Sequence, residues 1–426
     1  MEEVNSRDRI EDEELMEFID SLVVEEGQKS YLPLKEKLVL KRSLFDTFRR
    51  LGPLQELVDD GEVAEIMVNG VQDIFIERRG KTERWQKTFE DEAQLEDLIQ
   101  KMVGRVNRIV NRAVPICDAR LEDGSRVNIV LPPVALNGPV ITIRKFPEVF
   151  SMKRLIENGT ISEEAAEILE ILVISGYNIF VSGGTGSGKT TFLNALSEFI
   201  PADNRVITIE DAAELQIRHV ENLVRLETRD ENIEGEGEIS MRQLIKTALR
   251  MNPDRIIIGE VRGQEACDML QAMNTGHDGS LSTGHANNPA DMLSRLESMV
   301  LMGADLPLAA IRNQIASAID IFIHIGRLRD KSRRILSIVE VKGLLEGEIV
   351  LHPLFEFQEE VSDENLRREE KTGNAGMGSA SRRKEENGAG GYNIWKMGST
   401  QKVEGKLVRV GELEHREKLR AAGYIL

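Results

Sequence analysis

The sequence predicts an α/β protein. A largely parallel sheet covered by helices carries a phosphate-binding loop, and a smaller α+β domain and a helical extension precede it. Three observations predict this fold. From Ile161 to about Phe357, short apolar runs alternate with amphipathic stretches of helical period. Within that span, Asn178-Ile179-Phe180-Val181 leads through Ser182 into the glycine loop Gly183–Gly188, then into Lys189, Thr190 and a helical pattern. Upstream, from Gly52 to Phe146, the runs are shorter and are broken by turn signals such as Asn69-Gly70 and Pro132-Pro133.

The elements follow in order. Residues 1–50 form a charged helical extension. Leu15, Phe18, Ile19 and Leu22 recur at i, i+3, i+4 and i+7 and give one apolar face. That face either packs on its own domain or docks another protein. Residues 51–147 form the α+β domain, with strands at Glu62–Asn69, Ile74–Glu77, Arg126–Val130 and Val140–Lys145 and a helical pattern over Glu92–Val110. Residues 148–160 read as a linker, with Met152–Glu157 able to form a short helix. Residues 161–357 form the main domain. Its expected strands are Asn178–Val181, Arg205–Glu210, Leu223–Glu227, Arg255–Ile258, Ser280–Ser282 and Ile319–Ile325. Its expected helices are Lys189–Phe199, Ser240–Met251, Gln264–Asn274, Pro289–Met302 and Leu308–Ser317. Arg334–Val341 and Glu348–His352 read as an antiparallel extension. Residues 358–403 are rich in Gly, Ser, Glu, Lys and Arg and read as a disordered linker. Residues 404–426 regain helical character around Leu413, Leu419 and Ala422.

Composition narrows the class. A chain of 426 residues with 41% hydrophobic and 30% charged residues fits two or three soluble globular domains. A net charge of −18, with a pI near 5.0, argues against non-specific nucleic-acid binding, which needs basic surface. The two cysteines, Cys117 and Cys267, lie far apart without metal-ligand spacing and read as buried thiols in a reducing compartment. No run is long enough to cross a membrane, and the acidic stretch Glu2–Asp20 is no secretory signal. The expected location is the cytoplasm, with any membrane contact made through partners.

The glycine loop carries the clearest chemistry. Gly183, Gly184, Thr185, Gly186, Ser187 and Gly188 let successive backbone N–H groups curl around a polyphosphate, and the helix N-terminus adds partial positive charge. Lys189 would reach the β- and γ-phosphates. The Thr190 hydroxyl would ligate Mg²⁺, with Thr191 beside it. Hydrolysis also needs acids. Arg255-Ile256-Ile257-Ile258 is a buried strand that delivers Glu260 to the phosphate-loop side of the sheet. Val206-Ile207-Thr208-Ile209 delivers Glu210. If that strand neighbours the phosphate-loop strand, Glu210 also faces the nucleotide crevice. One carboxylate would then act on Mg²⁺ through water and the other would polarise the attacking water, in either order.

Of six histidines, His277 and His285 share one glycine-rich span. Asp278 is the only local companion ligand, so a phosphate sensor or intersubunit donor suits them better than a metal site. Arg126 and Arg144 sit on strands of the α+β domain, Arg225 and Arg229 follow the second acidic strand, and Arg262 follows Glu260. Any of these could bring positive charge to a phosphoryl-transfer transition state.

Together these residues resemble a known family. The loop Gly183–Thr190, the acidic box Ile207–Gln216, the strand ending in Glu260 and the histidine box His277–His285 occur in the order of the secretion and pilus-assembly ATPases of the type II/type IV secretion superfamily. Leu249–Arg255, Gly259–Gly263 and Ala272–Gly279 look like the CpaF/TadA branch, which powers Flp-type (Tad) pilus assembly. Val63–Gly70, Asp118–Leu121, Asp123–Asn128 and Ile141–Phe146 fit the same branch. The resemblance covers roughly residues 50–357.

It implies a RecA-like motor domain in a homohexamer, with ATP and Mg²⁺ held between the two domains and inner-membrane platform proteins as partners. It implies that Lys189 and Thr190 hold phosphate and Mg²⁺, that Glu260 is the Walker B acid and that Glu210 is the acidic-box glutamate. His277 and His285 become the histidine-box pair. Arg126 and Arg144 become the arginines that reach the phosphates from the smaller domain, and Arg229 and Arg262 are further candidates. The sequence departs from the family at Gly284, where a bulkier residue is usual, and at Pro289-Ala290-Asp291, which lacks a common basic residue. A traffic ATPase of a type IV secretion system shares the box order. A scaffold that binds nucleotide without turnover is disfavoured by intact Lys189, Glu210 and Glu260, and a nucleic-acid translocase by the charge.

Overall fold

A computed structural model describes residues 11–29, 31–78, 80–106, 108–146, 150–229, 236–360 and 403–424. The chain forms two compact units, Met1–Glu148 and Val149–Leu426.

The first unit opens with helices α1 (Asp12–Lys29) and α2 (Leu34–Arg49). Leu15, Ile19 and Val23 of α1 are buried against Leu44, Phe45 and Phe48 of α2. The apolar face therefore runs through Val23, while Leu22 is exposed. Its partner is the next helix of the same chain. After the short α3 (Gln55–Asp59) come β1 (Val63–Asn69), β2 (Asp73–Arg78) and β3 (Lys81–Arg84), then α4 (Glu92–Arg105), β4 (Ile116–Arg120), β5 (Arg126–Val130) and β6 (Val140–Arg144).

The strands form one antiparallel sheet in the order β3-β2-β1-β6-β5-β4. Alternate residues Ile66 and Val68, Ile74 and Ile76, and Ile141 and Ile143 turn inward, as a one-sided sheet requires. They share a core with Leu95, Ile99 and Met102 of α4. Asp91 caps α4 by accepting the Gln94 amide. Strands β3 and β4 are the two edges. Neither is an apolar run, so β3 carries no strand signal in the sequence and β4 carries only the Asp118–Leu121 motif.

The second unit begins with α5 (Met152–Glu157) and α6 (Glu163–Ile174), capped by the Ser151 and Ser162 side chains. Met152 and Leu155 lie in the core, so the expected linker 148–160 contributes a helix to this unit, and residues 147–149 lie outside the described residues. Next come β7 (Ile179–Gly183), α7 (Lys189–Ser197), β8 (Val206–Glu210), β9 (Leu223–Glu227), α8 (Met241–Ala248), β10 (Arg255–Ile258), α9 (Glu265–Met273) and β11 (Leu281–Gly284). Then follow α10 (Pro289–Gly303), α11 (Leu308–Ala318), β12 (Ile321–Arg327), β13 (Arg333–Leu345) and β14 (Glu348–Glu359).

The sheet runs β14-β13-β12-β7-β11-β10-β8-β9, parallel from β12 to β9 and antiparallel beyond β12. Every residue of β7, β8, β10 and β11 is buried, because helices cover both faces. Period-two geometry splits each strand between two cores. Ile179, Val181, Ile257 and Ile323 pack with α6 and α7, whereas Phe180, Ile256, Ile258 and Phe322 pack with α8 to α11. Phe180→Ala would cost about 3–5 kcal/mol in such a core.

Residues 361–402, nearly all of the expected linker, lie outside the described residues. The chain then returns to this unit. β15 (Gly405–Arg409) adds to the edge of β14, antiparallel, and α12 (Glu417–Ala421) follows. The tail is thus strand first and helix second, where helical character alone was expected. The buried Glu340 carboxylate accepts the Glu414 and His415 amides at 2.9 and 2.7 Å. Tyr177 donates its hydroxyl to the His415 carbonyl. Lys418 Nζ lies 2.8 Å from both Asp278 and Asp320 and 3.2 Å from the Gly176 carbonyl. Those three residues precede β11, β12 and β7, so one ammonium straps the amino ends of three neighbouring strands.

Candidate active site

The site sits at the carboxyl ends of the parallel strands. Strand β7 ends in the phosphate loop, and α7 starts at Lys189. Gly186 and Gly188 have φ of +69° and +98°, the left-handed region that a side chain disfavours. Space above Gly184 and Gly186 is open. The Lys189 ammonium donates to the Gly183 and Gly184 carbonyls of the loop at 3.3 and 3.4 Å.

Strand order decides what meets that lysine. β11 lies beside β7, and β10 lies beside β11. Thr283 of β11 grips both sides of Glu260: its hydroxyl donates to the Gly259 carbonyl at 2.7 Å, and its carbonyl accepts the Val261 amide at 2.9 Å. The residue after Gly284 is His285. Its ring nitrogens lie 3.2 and 3.5 Å from Lys189 Nζ, and its Nε2 lies 2.7 Å from Glu260 Oε1. A Cβ at Gly284 would stand 2.9 Å from the end of the Phe180 ring and 3.0 Å from the end of Met292, so a larger residue here needs those side chains to shift.

Lys189, His285 and Glu260 therefore converge. Arg262 completes the cluster, with Nη2 donating to Glu260 Oε2 at 2.8 Å and Nη1 3.6 Å from Asp211. The Glu260 hydrogen bond raises the Arg262 pKa, so this guanidinium stays charged. Burial lowers the Lys189 pKa, and burial together with Lys189 lowers that of His285. His285 is thus neutral at pH 7 and can accept a proton.

One polar atom here, Ser187 Oγ, is buried without a hydrogen-bond partner, and Glu260 Oε1 has only the His285 ring nitrogen at 2.7 Å. Buried polar groups are normally paired, and an orphan beside an open glycine cradle at a helix N-terminus fits a bound polyphosphate and its cation. Lys189, the loop amides and Thr190 would hold the phosphates and Mg²⁺, with Glu260 facing them.

Other expected residues fall elsewhere. β8 does not neighbour β7; β11 and β10 lie between them. Glu210 stands beside Gly259, where a Cβ would lie 2.9 Å from its Cγ. Its Oε2 accepts the Glu214 and Leu215 amides at 2.7 and 2.9 Å, so it shapes the acidic box itself. Burial pushes its pKa up to about 7. His277 lies at the amino end of β11, the opposite end from His285, with Nδ1 3.2 Å from the Ala272 carbonyl. Arg229 follows β9, the sheet edge, and donates to the Gly237 carbonyl at 2.7 Å. Arg126 and Arg144 belong to the first unit, where they oppose each other across the β5–β6 ladder.

Two neighbours of the loop escaped sequence reasoning. His324 of β12 is buried, and its Nδ1 lies 3.0 Å from the Ser182 hydroxyl under the phosphate loop. Arg333 at the start of β13 donates from Nε to the Gly186 carbonyl at 3.0 Å. Neither lies near the loop in sequence, and only strand pairing brings them there.

Comparison with known proteins agrees with this geometry. Residues 48–388 match the family described as "Type II/IV secretion system protein". A putative conjugal transfer protein of Mycobacterium tuberculosis is 36% identical, covering 71% of this chain and 88% of its own length. The type IV secretion system protein VirB11 of Brucella suis is 32% identical, covering 70% of this chain and 90% of its own. Among solved structures, the pilus retraction motor PilT with bound ADP superimposes with a TM-score of 0.50 at 20% identity, over 76% of this chain and 87% of that one. That likeness shows a shared fold.

Proposed function

We propose that this chain, which belongs to the type II/IV secretion ATPase family, is the hexameric motor that hydrolyses ATP to assemble a Flp/Tad pilus or drive related secretion across the inner membrane. The convergence of Lys189, His285 and Glu260 on an open phosphate loop carries the reading. Bound Mg²⁺ would neutralise charge on the transferred phosphoryl group. Lys189 would exchange its loop carbonyls for phosphate oxygens. Glu260, oriented by Arg262 and His285, presents Oε1 to the cation or to the attacking water.

Arg126 and Arg144 oppose each other across the β5–β6 ladder, so the pair presents two guanidinium-bearing positions at one place on the sheet. They are assigned to complete the site from the smaller domain. Replacing Arg144 by Ala should lower the hydrolysis rate about tenfold or more. An unchanged rate would remove the first unit from catalysis.

The motif order over residues 249–279 favours pilus assembly, with cytoplasmic subunits docked on inner-membrane platform proteins. Among the described residues no helix is long and apolar enough to span a membrane. A type IV secretion traffic ATPase is the second reading, favoured by the conjugal-transfer and VirB11 relatives. Deleting the gene separates them: loss of surface pili supports the first, and loss of conjugal transfer with pili intact supports the second. Strong stimulation of phosphate release by single-stranded DNA would overturn both in favour of a nucleic-acid translocase.

A further inference from the structure

Arg333 touches the phosphate loop twice. Its Nε donates to the Gly186 carbonyl at 3.0 Å, and its Cδ occupies the space beside Gly188, where a Cβ would come within 3.2 Å. The turn that presents it is pinned. The Asp330 carboxylate accepts the Ser332 amide and hydroxyl at 2.9 and 2.6 Å and the Val403 amide at 2.8 Å. Neighbouring arginines are engaged elsewhere, Arg329 with Glu359 and Arg334 with the Asn158 carbonyl. Arg333 has no carboxylate partner among the described residues.

A trans peptide points its carbonyl and its following N–H in opposite directions. Holding the Gly186 carbonyl from outside therefore turns the Ser187 N–H away from Arg333, toward Gly184, whose carbonyl it reaches at 3.3 Å. We propose that Arg333 is a positioning residue for nucleotide. It braces the Gly186–Ser187 peptide so that the loop keeps its open, left-handed glycines, and it sets positive charge against the loop. The inference rests on the ATPase reading of the same loop.

The test uses the full chain with Arg333→Ala, Arg333→Lys and, as a control, Arg334→Ala. Titration with Mg·ADP and amide hydrogen exchange over residues 183–189 without nucleotide are both measured. Arg333→Ala should weaken Mg·ADP binding about tenfold and speed exchange in the loop, with an unchanged unfolding midpoint. Arg333→Lys keeps the charge but has a methylene where Nε stands, so it should speed exchange while binding more tightly than the alanine variant. Arg334→Ala should match the parent protein in both. Parent-like affinity and exchange in Arg333→Ala overturn the proposal, as does an equal loss in Arg334→Ala. If the parent protein itself fails to bind Mg·ADP, the ATPase reading fails, and the exchange measurement still decides whether Arg333 braces the loop.

Discussion

The second unit treats the two ends of its parallel strands differently. At the carboxyl ends, Ser187 Oγ is buried without a hydrogen-bond partner, Glu260 Oε1 meets only the His285 ring, and Lys189 makes do with backbone carbonyls and a neutral imidazole. At the amino ends the charges are matched. Lys418 answers Asp278 and Asp320, Asp320 also accepts the Asn178 amide at 2.7 Å, and Glu340 takes two amides of the tail. One end of each strand holds the sheet together, and the other keeps donors and acceptors in reserve for a ligand. Leaving polar atoms unpaired costs stability, and at the carboxyl ends a bound polyphosphate would recover part of that cost.

The sharpest way to break the contrast is at Glu260. Glu260→Gln should cut phosphate release about 100- to 1,000-fold while Mg·ADP still binds. Parent-like turnover would remove Glu260 from the chemistry. Lys418→Met should do the reverse. It leaves Asp278 and Asp320 facing each other without their cation, and unfolding should become easier by about 3 kcal/mol. Nucleotide affinity should hold, as read by thermal denaturation beside an ADP titration.

Glu210 tests the boundary between the ends. Its folded-state pKa of about 7 lies above the ordinary 4.5, so the folded state holds its proton more tightly than the unfolded chain. Stability should fall as pH rises from about 4.5 to 7, by up to about 3 kcal/mol. Denaturant titrations across that range should show the slope, and Glu210→Gln should flatten it. The smallest effect compares the two histidines of one strand. His285→Ala should weaken Mg·ADP binding or slow turnover about tenfold, and His277→Ala should leave Mg·ADP affinity as it was. Equal losses would mean that both ends of β11 serve the nucleotide.

The sequence made the phosphate loop legible because everything it needs is contiguous: strand, glycines, lysine and helix start. The strand leading to Glu260 was equally plain, as three consecutive isoleucines. The order of strands was not legible, since it depends on pairing between distant segments. Placing β11 beside β7 and β10 beside β11 brings Glu260 and His285 to Lys189 and leaves Glu210, on β8, with two strands between it and β7. The histidine box held an unused clue. His277 and His285 flank Leu281–Gly284, and residues on either side of a buried strand emerge at opposite ends of the sheet. Arg333 gave no local signal, because an antiparallel return carries it back to the loop. The tail strand β15 was hidden by its single half-buried apolar position, Leu407, between exposed residues.

The strap at Lys418 also marks a side of the second unit that can be labelled. A fluorophore attached at the exposed Arg420, two residues beyond Lys418, lies at the amino ends of β7, β11 and β12, roughly 15 Å from the phosphate loop by strand length alone. Such a reporter would sense the central strands from beneath while leaving the nucleotide face clear. For imaging this ATPase, the amino ends of the strands are therefore the quiet side.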